Sequence, residues 1–173
     1  VRAIAECPQV CHLVHLPVQA GSDRILKLMN RKYTASDYLK KVELLRKYVP
    51  DCQLTTDIMV GFPTETEEDF QATLSLVREA GFSTAFTFVY SRRSGTVAAK
   101  MEGQIPEEVQ KDRIMRLVEL VNEQTREKSV AYRGKTIEIL CEDFDEKKGL
   151  YLGRDVYGRM GYFKSEKSKI GEF

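Results

Sequence analysis

Tryptophan is absent from this chain of 173 residues, and cysteine is sparse, with only Cys7, Cys11, Cys52 and Cys141. So few thiols exclude a disulfide-built scaffold and fit a reducing compartment. An excess of either charge is also missing. Lys and Arg number 27 against 26 Asp and Glu, for a net charge of +1. Bulk electrostatics therefore select neither nucleic acid nor a membrane surface, and any RNA contact must rest on local patches. No apolar run approaches the roughly 18 residues that a membrane span needs, and the N-terminus lacks the charged-then-apolar pattern of a secretory signal. A cytoplasmic protein that does not enter a membrane is the expectation. The chain does not begin with Met, and residues 1–11 read as the tail of a helix already under way, with no capping residue ahead of Val1. It reads as part of a longer protein.

What is present is a 42% hydrophobic and 31% charged composition, enough for one domain and a smaller second one. Three β-then-α units follow one another. The segment 12–19 is a short apolar strand, and Ser22 then caps a helix through Ile25, Leu26 and Met29. Thr34 or Ser36 caps the next helix, whose stripe of Tyr38, Val42, Leu45 and Val49 ends at Pro50. The second strand, Leu54 to Val60, breaks at Gly61, turns through Pro63 and restarts as a helix capped by Thr66 with Asp69 three positions on. Gly81 is placed as its left-handed C-cap. The third strand, Thr84 to Tyr90, runs into the loop SRRSGTVAAKMEGQ, and Pro106 starts a long helix to about Ala131.

Alternating strands and helices imply an α/β fold with a parallel sheet and right-handed crossovers. Three units make half a barrel or a small open sheet. Gln19 and Gly21, Gly61 to Thr66, and Tyr90 to Thr96 all fall at C-terminal strand ends, on one rim, where such folds place ligands. Unpaired N–H donors are expected at the turn after the second strand, where a helix begins.

After Arg133 the pattern changes to short strands and turns, from GKTIEILCEDF through a turn at Asp145–Gly149 to LYLGRDVYGRMGYFK. Basic residues here alternate with aromatics. Arg154, Arg159 and Lys164 are candidate RNA contacts beside Tyr157, Tyr162 and Phe163, though aromatics in a small β module equally form its core. Arg31 and Lys32, with Lys27 upstream, form a second candidate RNA-facing patch and are equally explained as solvated surface.

The ordered runs HLPVQAGSDRILKLMNRKYT, TTDIMVGFPTETEEDF and FTFVYSRRSGTVAAKM, followed by GKTIEIL, resemble the radical-SAM methylthiotransferases, most closely the MiaB-like branch that modifies tRNA. The resemblance covers essentially the whole chain. It implies that residues 1–132 are the second half of a radical-SAM partial (βα) barrel with its long connecting helix. It implies that residues 133–173 are a truncated TRAM-like RNA-binding β domain. The full-length enzyme it implies is a monomer that uses S-adenosylmethionine and two [4Fe-4S] clusters, takes tRNA as partner, and adds a methylthio group to carbon 2 of isopentenyladenosine beside the anticodon. Relatives acting on threonylcarbamoyladenosine or on a ribosomal protein aspartate are alternatives within the class, and a standalone RNA-binding module is the alternative outside it.

Residue by residue, Gly61, Phe62 and Pro63 match the family's GFP, Gln19 and Gly21 match its QSG, and Tyr90 and Arg93 match its YSxRxGT. These seven are the candidate cofactor-binding residues. The chain departs from the family where Ala20 replaces a Ser, where Arg92, Ser94 and Val97 replace prolines, and where Thr64 replaces a Gly. Loss of the prolines implies a less rigid loop. The family's CxxxCxxC cluster loop is missing: Cys7 and Cys11 have its first spacing, but its third place falls on Val14. Both cysteines read as structural, His12 and His15 read as satisfied histidines, and neither metal ligands nor catalytic residues are expected within this chain. The last four residues look like the start of a further strand.

Overall fold

The computed structural model describes residues 1–173, and two three-stranded sheets organise it. A short helix α1 (Arg2–Glu6) precedes β1 (Leu13–His15), α2 (Asp23–Leu28), α3 (Ala35–Tyr48), β2 (Gln53–Val60), α4 (Glu67–Ala80) and β3 (Thr84–Val89). The strands pair in parallel in the order β1-β2-β3. A single turn, α5 (Val97–Lys100), leads to the long α6 (Glu107–Val130). Beyond it β4 (Leu140–Asp145), β5 (Leu150–Arg154) and β6 (Met160–Phe163) form an antiparallel meander.

The helix starts follow from local chemistry. Ser22, Thr34 and Thr66 each accept an N–H from the first turn, and Thr34–Asp37 and Thr66–Asp69 close full capping boxes. Of the two candidate caps for α3, Thr34 is therefore the one used. Gly81 ends α4 at φ +53°.

The apolar run at 12–19 forms a much shorter strand than its hydrophobicity implies. Pro17 has no N–H to donate, so the ladder stops after Leu16 and resumes as an isolated bridge between Gln19 and Ile58. The Thr56 hydroxyl fills the gap, accepting from the Val18 N–H at 3.0 Å and donating to the Leu16 carbonyl at 2.9 Å.

Alternation along β2 decides where the core sits. Leu54, Thr56, Ile58 and Val60 are buried, and the helices cover that face. A cluster including Val18, Val42, Leu45, Phe70, Val77, Phe82 and Leu117 joins α3, α4 and α6 to it. Thr55, Asp57 and Met59 share the other face with Phe86 and Phe88 of β3, which stay 53% and 49% exposed. Helices therefore clothe one side of the parallel sheet and leave the other open.

In the antiparallel sheet the strand expected from Gly134 onward begins only at Leu140, where β5 supplies a partner as far as Arg154. Residues 170–173 do not form a strand, but Gly171 and Glu172 exchange two backbone hydrogen bonds with Cys141 along the free edge of β4. The turn at Asp145–Gly149 is as read, closed by the Gly149 N–H on the Asp145 carbonyl at 2.8 Å.

Candidate functional site

A second, smaller core lies under the C-terminal ends of the strands. Ala20, Ile25, Leu26 and Phe62 are buried together, with Met29, Met59, Tyr90 and Ala98 packed against them. Above this floor opens a cavity of about 460 Å³, whose walls include Gln19, Arg31, Phe62, Tyr90 and Arg93. Phe62 and Tyr90 form one wall, their rings edge-to-face at 5.4 Å. The Tyr90 hydroxyl is buried without a hydrogen-bond partner. Arg31 and Arg93 make no side-chain hydrogen bond or ion pair. Gln19 stands at φ +73°, a conformation uncommon for a residue with a side chain and concentrated at functional sites.

Four of the seven candidate cofactor residues thus meet in one cavity, joined by Arg31, which the sequence reading had placed with RNA. Gly21, Gly61 and Pro63 do not line it. Gly21 is a packing residue: a Cβ there would sit 2.5 Å from the Ala72 carbonyl oxygen on α4, and its N–H donates to the Thr73 hydroxyl at 2.9 Å. The Gly61 N–H is already engaged by the Glu65 carboxylate at 2.7 Å, and its carbonyl accepts from Gln110 of α6 at 3.2 Å. The Gly61 N–H and the Thr64 N–H, which is held by Gly103, are therefore not open donors, and the Thr66–Asp69 box occupies two further N–H groups at the start of α4. The turn shapes the rim and presents Phe62; it does not offer the Gly61 N–H. Met29, Met59 and Phe88 also line the cavity and had not been singled out. Strand alternation carried that signal, because Met59 and Phe88 are register partners on the open face.

Two polar networks hold the rim. Asp69 accepts from Ser22 at 2.6 Å, from Arg24, and from the Thr66 N–H at 2.9 Å, while Arg24 also donates to the Thr64 carbonyl at 2.6 Å. Burial pushes the Asp69 carboxyl up, but these donors outweigh it and hold it well below the usual carboxylate range. The second network is a buried ion pair, Arg113 Nη1 to Glu65 Oε2 at 2.8 Å, with both side chains less than a tenth exposed. Burial raises the Glu65 carboxyl despite the opposing Gly61 N–H and Arg113. Together they tie the loops after β1 and β2 to α6. The proline-poor loop after β3 is tethered instead by hydrogen bonds, Arg92 Nε to the Ala99 carbonyl at 2.7 Å and Thr96 Oγ1 to the Arg93 carbonyl at 2.8 Å.

The radical SAM superfamily model matches residues 1–77. A tRNA-2-methylthio-N(6)-dimethylallyladenosine synthase from Clostridium botulinum (strain Langeland) is 50% identical over all of the chain and 39% of its own length. Synthases of the same name from Acetivibrio thermocellus and Clostridium perfringens (strain SM101) are 47% and 48% identical over 99% of the chain. Along its whole length the chain is similar to these radical SAM methylthiotransferases. It spans 36–39% of the length of these curated relatives. Among solved structures, coproporphyrinogen III oxidase (HemN) from Escherichia coli, a radical SAM enzyme, superposes with a TM-score of 0.56 at 18% identity, over 92% of the chain and 36% of HemN. That likeness shows a shared fold.

The remaining candidate residues are dispersed. Lys32 is exposed and donates to Asn30 at 2.7 Å, Arg154 pairs with Glu142 at 2.6 Å, and Lys164 is exposed. Arg159 is partly buried, paired with Asp155 and stacked 3.4 Å from the Tyr132 ring centre. His12 meets Asp51 at 2.8 Å and His15 meets the Thr55 hydroxyl at 2.9 Å. The Cys7 thiol donates to Gln9, and Cys141 is buried. No helix is long and apolar enough to cross a membrane.

Proposed function

We propose that this chain forms the later part of a tRNA methylthiotransferase that places a methylthio group on carbon 2 of isopentenyladenosine next to the anticodon. The observation that carries the reading is 47–50% identity to synthases of that name along 99–100% of the chain, through both sheets. Residues 1–132 then act as half of a partial barrel whose open sheet face is its inner wall, and residues 133–173 act as a TRAM-like module. Arg154 and Lys164 of that module and Lys32 of the barrel are the solvent-facing cations for the tRNA backbone.

The rim cavity fits S-adenosylmethionine. Its volume of about 460 Å³ suits a nucleoside-sized ligand, and the orphaned Tyr90 hydroxyl awaits an acceptor. Phe62 and Tyr90 provide an aromatic wall for adenine, Gln19 a carboxamide for polar edges, and Arg31 and Arg93 two unpaired guanidiniums for a carboxylate. S-adenosylmethionine supplies the radical and methyl chemistry when bound, and the protein's part is to bind and orient it. A [4Fe-4S] cluster does not fit the residues of this chain, since no three His, Cys, Asp or Glu side chains converge anywhere.

A hybrid tests the reading: the chain replaces the matching stretch of the Clostridium botulinum relative in a strain lacking its own enzyme, and tRNA nucleosides are analysed by mass spectrometry. The methylthio derivative of isopentenyladenosine should return. Accumulation of unmodified isopentenyladenosine alongside a folded hybrid overturns the reading. A mass gain on threonylcarbamoyladenosine or on a ribosomal protein instead moves it to the corresponding relative.

A further inference from the structure

The segment Asp155–Arg159, between β5 and β6, projects away from its own sheet and meets the start of the parallel one. Three contacts converge there. The Tyr157 hydroxyl donates to Asp51 Oδ2 at 2.8 Å, and Asp51 Oδ1 in turn holds His12 at 2.8 Å. Gly158 lies at φ +75°, which favours glycine, and packs against β1, where an added Cβ would stand 2.8 Å from Leu13 Cδ2 and require that side chain to shift. The Arg159 guanidinium lies 3.4 Å from the centre of the Tyr132 ring, just beyond α6, and 4.8 Å from that of Tyr157. It is paired there by Asp155, with Nε to Oδ2 at 2.7 Å.

This is a poor arrangement for a residue meant to meet RNA. An arginine that contacts phosphate presents its fork to solvent. Arg159 has one face against tyrosine, its Nε and Nη2 on Asp155, and Nη1 buried. Burial also lowers its affinity for a proton, against the direction in which a partner carboxylate acts. We propose that Asp155–Arg159 is a clasp that docks the antiparallel sheet onto the N-terminal end of the parallel sheet, and that Arg159 is its pin rather than an RNA contact. A guanidinium stacked on aromatic rings and desolvated is worth more than an exposed one, which suits a pin. The two sheets then move as one body, and RNA held on the outer side of the small sheet stands at a fixed offset from the rim cavity.

Hydrogen exchange on the whole chain tests the clasp in three variants: Arg159→Met, Tyr157→Phe and Asp51→Ala. Asp51 lies across the seam and has no part in the interior of the small sheet, so its variant separates undocking from unfolding. Each variant should speed exchange in Met160–Phe163 by about tenfold, the factor expected when one docking contact is lost from a local opening. The salt dependence of binding to a short RNA stem-loop should keep its slope in Arg159→Met. Exchange unchanged in Asp51→Ala overturns the proposal, as does a slope reduced by about 0.7–0.9 in Arg159→Met, the mark of one lost phosphate contact. If the chain does not bind the stem-loop, exchange alone decides.

Discussion

Thr64 holds φ at +68°, in the left-handed region that β-branched residues rarely enter. The conformation is imposed from three sides: its N–H is bonded to the Gly103 carbonyl at 2.8 Å, and Arg24 binds both its carbonyl and its hydroxyl. The sequence had marked this position because the family carries glycine there, although nothing local said that the turn needed a positive φ. Replacing Thr64 by Gly removes roughly 1–2 kcal/mol of steric cost and adds roughly 0.5–1 kcal/mol of chain entropy, so Thr64→Gly should stabilise the chain by about 0.5–1 kcal/mol in urea unfolding. A destabilised variant would show that the Arg24–hydroxyl bond outweighs the strain. Gln19 was legible as a strand-end rim residue and as a family position, but its φ of +73° was not. Its backbone is held by the bridge to Ile58, a contact 39 residues away that spacing along the chain does not reveal.

At the level of elements, whatever depends on near neighbours was legible. Ser22, the Thr66–Asp69 box and the Gly81 C-cap sit where they were read, because each cap acts over three or four residues. Elements that need a distant partner were not: β1 is cut short by Pro17, and β4 starts only where β5 reaches it. The engaged Gly61 N–H is a similar case, since its acceptor Glu65 is itself fixed by Arg113 of α6, 48 residues away. Truncating that arginine leaves a buried carboxylate unpaired, and Arg113→Ala should cost about 3–5 kcal/mol. Glu65→Gln added to it should recover part of the loss, and denaturant melts of the two variants check this. Asp69 gives a pH signature. Its folded pKa is depressed, so the unfolded chain binds more protons, and stability falls as pH drops below the usual carboxylate range toward the folded value. Asp69→Asn should flatten that acid limb in pH-dependent melts.

For the molecule as a whole, one face of the parallel sheet is covered by helices and the other carries Phe86 and Phe88 half exposed, with the rim cavity at its C-terminal end and the small sheet at the opposite end. The alternation of strand and helix was enough to read the parallel sheet and its rim. It did not show that Arg31 shares a cavity with Arg93, because the α2–α3 turn that carries Arg31 reaches the loop after β3 only in the folded chain. Nor did it show that Arg159 is turned inward. The proposed division of labour makes the rim residues responsible for S-adenosylmethionine and leaves Lys32 and Arg154 free of that task. The most direct check is the affinity of the hybrid enzyme for S-adenosylmethionine by calorimetry, in Gln19→Ala, Arg31→Met and Arg93→Met beside Lys32→Met and Arg154→Met. Losing a charge-assisted bond worth about 1.5–3 kcal/mol should weaken binding by roughly tenfold or more in the two rim arginine variants, with a smaller loss in Gln19→Ala. Lys32→Met and Arg154→Met should bind as the parent hybrid does. Equal affinity across all five variants would contradict the assignment of the rim cavity.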